Sequence, residues 1–125
     1  MVAITPTSLK FEMSGQNAGE SKIIERARTA SSQLKAMAHE SRLAILFHLY
    51  NGPKSVSQLE GLLAMRQPAV SQQLARLRSD QMVATERRGK QIYYSISSEH
   101  AFVIVELLHR LYGGQLEQEV LPRVG

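Results

Sequence analysis

The feature that most limits what this chain can fold into is a change of hydrophobic period near Met82. Before it, Val70, Leu74 and Leu77 recur at spacings of four and three, the repeat that lines one face of a helix. Beyond it, Val83 and Thr85, then Ile92, Tyr94 and Ile96, alternate with a period of two, the repeat of a strand. Arg87-Arg88-Gly89-Lys90 separates the two alternating runs, so a β-hairpin with a basic tip is expected.

Helical signals fill the chain on either side. Residues 1–20 are polar, broken by Pro6, Gly15 and Gly19, and predict a mobile arm. From Ser21, the small and apolar residues Ile23, Ala27, Ala30, Leu34 and Ala38 form one helical stripe. A second helix is expected from about His39–Ser41 to Tyr50, with Leu43, Leu46, Phe47 and Tyr50 on its apolar face and Asn51-Gly52-Pro53 as its stop. Ser55 predicts the N-cap of a short third helix burying Val56, Leu59, Leu62 and Leu63. Pro68 suits the first turn of a fourth helix, which closes at about Ser79–Gln81. A last helix from about Ser98 to Tyr112 is apolar nearly all round and stops at Gly113-Gly114, leaving 114–125 as a weakly specified tail. So apolar a helix in so small a domain needs a partner surface. A homodimer built from the first and last helices is therefore expected, through Ile23, Ala27, Ala30, Leu34, Phe102, Val105, Leu108 and Leu111.

The 125 residues suffice for one core, here 21–113. The longest apolar runs, Leu43–Phe47 and Ala101–Val105, are five residues each, whereas a membrane span needs about twenty. Met1–Lys10 has neither the basic start nor the apolar stretch of a signal peptide, so a cytoplasmic location with no membrane partner is expected. With no cysteine, the chain can form no disulfide, thiolate metal site or iron–sulfur cluster.

The charge is concentrated. Arg66, Arg76, Arg78, Arg87, Arg88 and Lys90, opposed within that window only by Asp80 and Glu86, account for the whole net charge of +4. A solvated charged face is the bland explanation of such a cluster. The fourth helix argues otherwise. Gln72 and Arg76 lie opposite its apolar face, and Gln67, Ser71 and Gln73 flank them. Glutamine pairs with adenine edges, arginine with guanine, and serine with several bases, a set suited to the major groove. Arg66, Arg87, Arg88, Lys90 and Gln91 suit the DNA backbone, and the hairpin tip suits the adjacent minor groove.

Two helices joined by a short turn and followed by a basic hairpin make a winged helix-turn-helix, a mainly α fold with a β-hairpin wing. The runs LKAMAHESRLAILFHL and SVSQLEGLLAMRQPAVSQQLARLRSDQMVATERRGKQIYYSI resemble the ArsR/SmtB family of bacterial repressors, in particular its sulfide-responsive branch. The resemblance covers about Leu34 to Tyr112. It implies a sequence-specific, dimeric repressor bound to an inverted-repeat operator in double-stranded DNA. Serine is common in the family where this chain has Arg66, which removes the expected cap of the recognition helix.

The same resemblance places the branch's paired reactive cysteines at Phe47 and Gly113, where no persulfide chemistry is available. The cysteine-rich metal site is replaced by SVSQL, and of the four ligands of the zinc site in the last helix only His100 remains. His39 and His48, like His100 and His109, are nine residues apart and would lie on opposite sides of a helix. Glu106 with His109 could join a site shared across a dimer, but surface or interfacial histidines explain the pattern more simply. No metal or other cofactor is expected. The inducer is unidentified: the chain is either a constitutive DNA binder or one controlled by an apolar or unrecognised ligand near the second and fifth helices. No nucleophile elbow, phosphate-binding glycine loop or paired-carboxylate motif suggests an enzyme. A winged helix that binds a protein instead of DNA is the alternative; it should show a neutral or acidic recognition face, whereas this one is basic.

Overall fold

The computed structural model describes the backbone of residues 16–124 and the side chains of residues 21–113. Along the chain run α1 (Gln16–Met37), α2 (Glu40–Tyr50), β1 (Lys54–Ser55), α3 (Val56–Leu63), α4 (Gln67–Ser79), β2 (Val83–Arg88), β3 (Gln91–Ile96) and α5 (Glu99–Val124). Packing divides the chain into Met1–Lys35 and Ala36–Gly125. The hydrophobic core belongs to the second unit, from Ala36 and Met37 through to Val105. In the first, residues 21–35 are exposed apart from the half-buried Gln33.

Local chemistry accounts for the element ends. His39 caps α2, its Nδ1 accepting a hydrogen bond from the Ser41 N–H at 3.2 Å. Asn51 and Gly52 return their N–H groups to the last carbonyls of α2, and Gly52 adopts φ +134, which a side chain rarely allows. Ser55 and Gln58 form a reciprocal capping box at the start of α3. Ser98 Oγ accepts from the Ala101 N–H at 3.1 Å, at the start of α5.

The hairpin pairs β2 with β3 from Val83↔Ile96 to Arg88↔Gln91. Its loop is Gly89-Lys90, with positive φ at Gly89 alone, as expected of a two-residue hairpin turn with glycine first. A third strand, β1, pairs with the other edge of β3 through Lys54↔Tyr94 and Ser55↔Tyr93, giving the order β1-β3-β2. Two residues are too short to show a period, so β1 left no signal in the sequence. The sheet, α3, α4 and α5 pack around α2. That explains why α2 buries Ile45, Leu46 and Leu49 fully while Leu43, Phe47 and Tyr50 pack at the margin of the core.

Several expectations need correction. The first helix starts at Gln16 and not Ser21, and ends at Met37, so Ala38 leaves the stripe and stays exposed while Ala36 and Met37 are buried. The rest of the expected arm, residues 1–15, lies outside the described residues. Leu62 is 51% exposed, because α3 turns only its Leu59 side fully inward. Gly113-Gly114 does not stop the last helix, which continues to Val124. Glycine within a helix costs about 1 kcal/mol relative to alanine, a penalty that weakens a helix without forbidding it. Val105 is fully buried in the chain's own core and cannot serve a partner. Periodicity shows that a helix is apolar all round, but not which side its own chain covers.

Candidate nucleic-acid interface

α4 is anchored by Val70, Leu74 and Leu77, all fully buried, against α2, α3 and β2. Replacing one such leucine with alanine costs about 2–5 kcal/mol, so the helix is rigidly seated. Its outer residues are thereby fixed in direction. Gln67, Gln72 and Arg76 are exposed. Ser71 is half-buried, and its Oγ accepts from Gln67 Nε2 at 2.7 Å, so these two side chains act as one polar unit. Gln73 sits on the flank of the helix, half-buried, and its Oε1 accepts from Arg42 Nη1 of α2 at 3.0 Å. Arg66 stands at the N-cap without a side-chain cap bond. The entry is held by its carbonyl, which accepts from the Ala69 and Val70 N–H groups, and by Pro68 in the first turn.

The wing carries Arg87, Arg88, Lys90 and Gln91, all exposed. Arg87 and Arg88 end β2, so the turn itself contributes only Lys90 to the positive tip. Arg88 Nη2 pairs with Glu86 Oε1 at 3.1 Å, and its guanidinium carbon lies 4.8 Å from the Tyr93 ring centre. Arg87 Nη1 donates to the Gly89 carbonyl at 3.4 Å. On α4, Arg76 Nε pairs with Asp80 Oδ2 at 3.0 Å. Such exposed pairs are worth about 0–1 kcal/mol, little enough for a phosphate or base edge to exchange with the carboxylate. Arg66 and Lys90 have no ion-pair partner among the described residues. Tyr94 packs against the core, as its alternation predicts.

Arg42 escapes sequence reasoning. Its partner on α4 is thirty-one residues away, and no local spacing announces the contact. The Arg76–Asp80 pair, by contrast, has the four-residue spacing of helical neighbours and was there to be found.

At the two positions where the resemblance places the branch's cysteines, Phe47 packs against the core and Gly113 is buried beneath the His109 ring. His109 stacks on Tyr50 at 4.8 Å between ring centres, and Tyr50 on Phe102 at 5.3 Å. Among the described residues no group of three or more histidine, aspartate, glutamate or cysteine side chains could hold a metal ion, and no helix is long and apolar enough to cross a membrane. Of the residues expected at a dimer interface, Ile23, Ala27, Ala30, Leu34, Phe102 and Leu111 are exposed and Leu108 is half-buried.

Comparison with known proteins agrees with this geometry. Residues 39–85 match the family described as "Bacterial regulatory protein, arsR family". The transcriptional activator HlyU of Vibrio cholerae is 46% identical over 79 residues, 63% of this chain and 73% of that protein. The biofilm growth-associated repressor of Agrobacterium fabrum is 39% identical over 88 residues, 70% of this chain and 75% of that protein. Among solved structures, the transcriptional repressor BigR from Xylella fastidiosa superposes with a TM-score of 0.72 at 33% identity, covering 77% of this chain and 95% of that one. The period change, the seated α4 with its polar outer face and the basic hairpin beside it fit these matches, and the chain belongs to the ArsR family of winged-helix, DNA-binding transcription regulators.

Proposed function

We propose that this regulator is a cytoplasmic, dimeric repressor that places α4 in the major groove of an inverted-repeat operator and its wing on the flanking backbone or minor groove. The observation that carries the reading is the two-sidedness of α4: Val70, Leu74 and Leu77 have no exposure, while Gln72 and Arg76 face solvent opposite them. Gln67, Ser71, Gln72, Gln73 and Arg76 are the base-reading set. Arg66, Arg87, Arg88, Lys90 and Gln91 hold phosphates and fix register. Occupancy of DNA, and not catalysis, is the activity.

Dimerisation uses two apolar elements, the α1 stripe of Ile23, Ala27, Ala30 and Leu34, and Phe102, Leu108 and Leu111 of α5, whose apolar residues are spread around the helix. The exposure of Ile23, Leu34, Phe102 and Leu111 supports the assignment, since large apolar side chains left in water mark interaction surfaces. Two recognition helices about 34 Å apart would then address half-sites one helical turn apart.

The test is selection of bound fragments from genomic DNA by the purified protein, with a reporter placed behind the recovered sites. Recovery of paired, inverted half-sites, lower reporter output and loss of sequence preference in Gln72→Ala are expected. A monomer in solution, higher reporter output or an unchanged preference in Gln72→Ala would each contradict one part of the proposal. Operator release in the presence of candidate metabolites, followed with thermal shift, separates control by a ligand near α2 and α5 from constitutive binding.

A further inference from the structure

Arg42 lies outside the basic window from Arg66 to Lys90, yet its side chain joins two parts of the DNA-binding unit. Its Nε donates to the Ala36 carbonyl at 2.6 Å, near the end of α1, and its Nη1 donates to Gln73 Oε1 at 3.0 Å on α4. Both side chains are half-buried, and the bond to Ala36 keeps the guanidinium from following Gln73 toward a ligand. A guanidinium has five N–H donors and no acceptor. The oxygen end of the Gln73 amide must therefore face Arg42, and both N–H groups of Nε2 point away from it.

We infer that Arg42 is a positioning residue that sets base preference by holding the Gln73 amide with its oxygen inward and its donors outward. The inference rests on the proposed seating of α4 in the major groove. An unrestrained glutamine reads adenine with both ends of its amide, accepting from N6 and donating to N7. Gln73 has its oxygen turned to Arg42, which occupies one of the two lone pairs, so the end of the amide left to meet a base is the donor end. Its matching partners are acceptor edges, the O6 and N7 of guanine or the O4 of thymine, and it refuses the N4 amine of cytosine. Gln72, exposed and not so engaged, keeps both functions. Neighbouring glutamines of identical chemistry thus read different edges because only one touches an arginine.

Two variants test this in the fragment-selection experiment, with thermal melting to verify the fold. Arg42→Met removes the donors but keeps an apolar stem. It frees the Gln73 amide to turn, and adenine should rise about tenfold against guanine or thymine at one position of each half-site. Gln73→Glu keeps the contact with Arg42 as an ion pair while turning a second acceptor outward. Preference at that position should move about tenfold toward cytosine, whose N4 amine a carboxylate can accept.

If Arg42→Met does not fold, Gln73→Glu decides alone. Native base preference in a folded Arg42→Met, or in a DNA-binding Gln73→Glu, overturns the inference. Gln72→Ala in the same assay distinguishes the two levels. If Gln72→Ala shifts preference and Gln73→Glu does not, the role of Arg42 fails and the seating of α4 stands. If neither shifts it, the seating itself is wrong.

Discussion

The imidazole of His109 lies so close over Gly113, four residues further along α5, that a β-carbon at position 113 would stand 2.9 Å from its Cε1 and Nδ1. The same ring stacks on Tyr50, which ties α5 to the last turn of α2. Gly113→Ala should gain about 1 kcal/mol of helix propensity and lose part of it to displacement of the ring. In a His109→Ala background the full gain should appear. Urea unfolding of the four proteins measures the coupling, and an equal effect of Gly113→Ala in both backgrounds would refute the steric relationship.

Ala64 ends α3 in the left-handed region at φ 53, ψ 44, a conformation usually left to glycine. An alanine there carries about 1–2 kcal/mol of backbone strain, partly offset because glycine makes the unfolded chain more flexible. Ala64→Gly should therefore stabilise the protein by about 0.5–1 kcal/mol, seen as a higher urea midpoint at unchanged slope. Gly89→Ala should do the reverse. At φ +64 and with open space where its β-carbon would go, position 89 bears the cost in the backbone alone.

His48 titrates below its ordinary value of 6.5, first because burial disfavours the imidazolium and second because Lys54 repels it. The unfolded chain then binds the proton more readily than the folded one. Stability from this group is complete above about pH 6.5 and declines as pH falls through the lowered folded value. His48→Gln should flatten that decline in denaturation curves taken across the mildly acidic range. An unaltered pH dependence would mean that another group governs it.

Arg87 and Arg88 are expected to bind phosphate, so replacing both with alanine should weaken specific and nonspecific DNA to a similar degree. The salt dependence should become shallower by about 0.9 in log–log slope for each phosphate that is no longer neutralised. Glu86, paired with Arg88, opposes the approach of DNA, and Glu86→Gln should raise nonspecific affinity. Fluorescence anisotropy over a salt series reads all three effects. A change in base preference with unaltered slope would move these arginines from the backbone to the bases.

Much of the fold is legible in the sequence because its signals are local. Ser55 with Gln58, Asn51-Gly52, the Val70/Leu74/Leu77 stripe and the alternation around Gly89 each determine a cap, a stop, a helix face or a turn from a few consecutive residues. The extent of α1 and α5 is less legible. Gly15 and Gly19 suggest a loop and Gly113-Gly114 a stop, yet α1 begins at Gln16, between the first two, and α5 runs through the second pair. One or two glycines lower helix stability by amounts that neighbouring helix formers can offset.

By itself, the sequence determined the class of the fold, the face that α4 buries and the concentration of positive charge beside it, since these depend on spacing and residue type alone. Tertiary structure decided which apolar residues of α5 are already spent, burying Val105 and leaving Leu111 in water. It also decided that β1 completes the sheet and that Arg42 reaches Gln73. The physical reason is the same in each case. Burial and hydrogen-bond pairing between residues far apart in the chain are set by which elements meet in space, and that meeting leaves no period in the sequence.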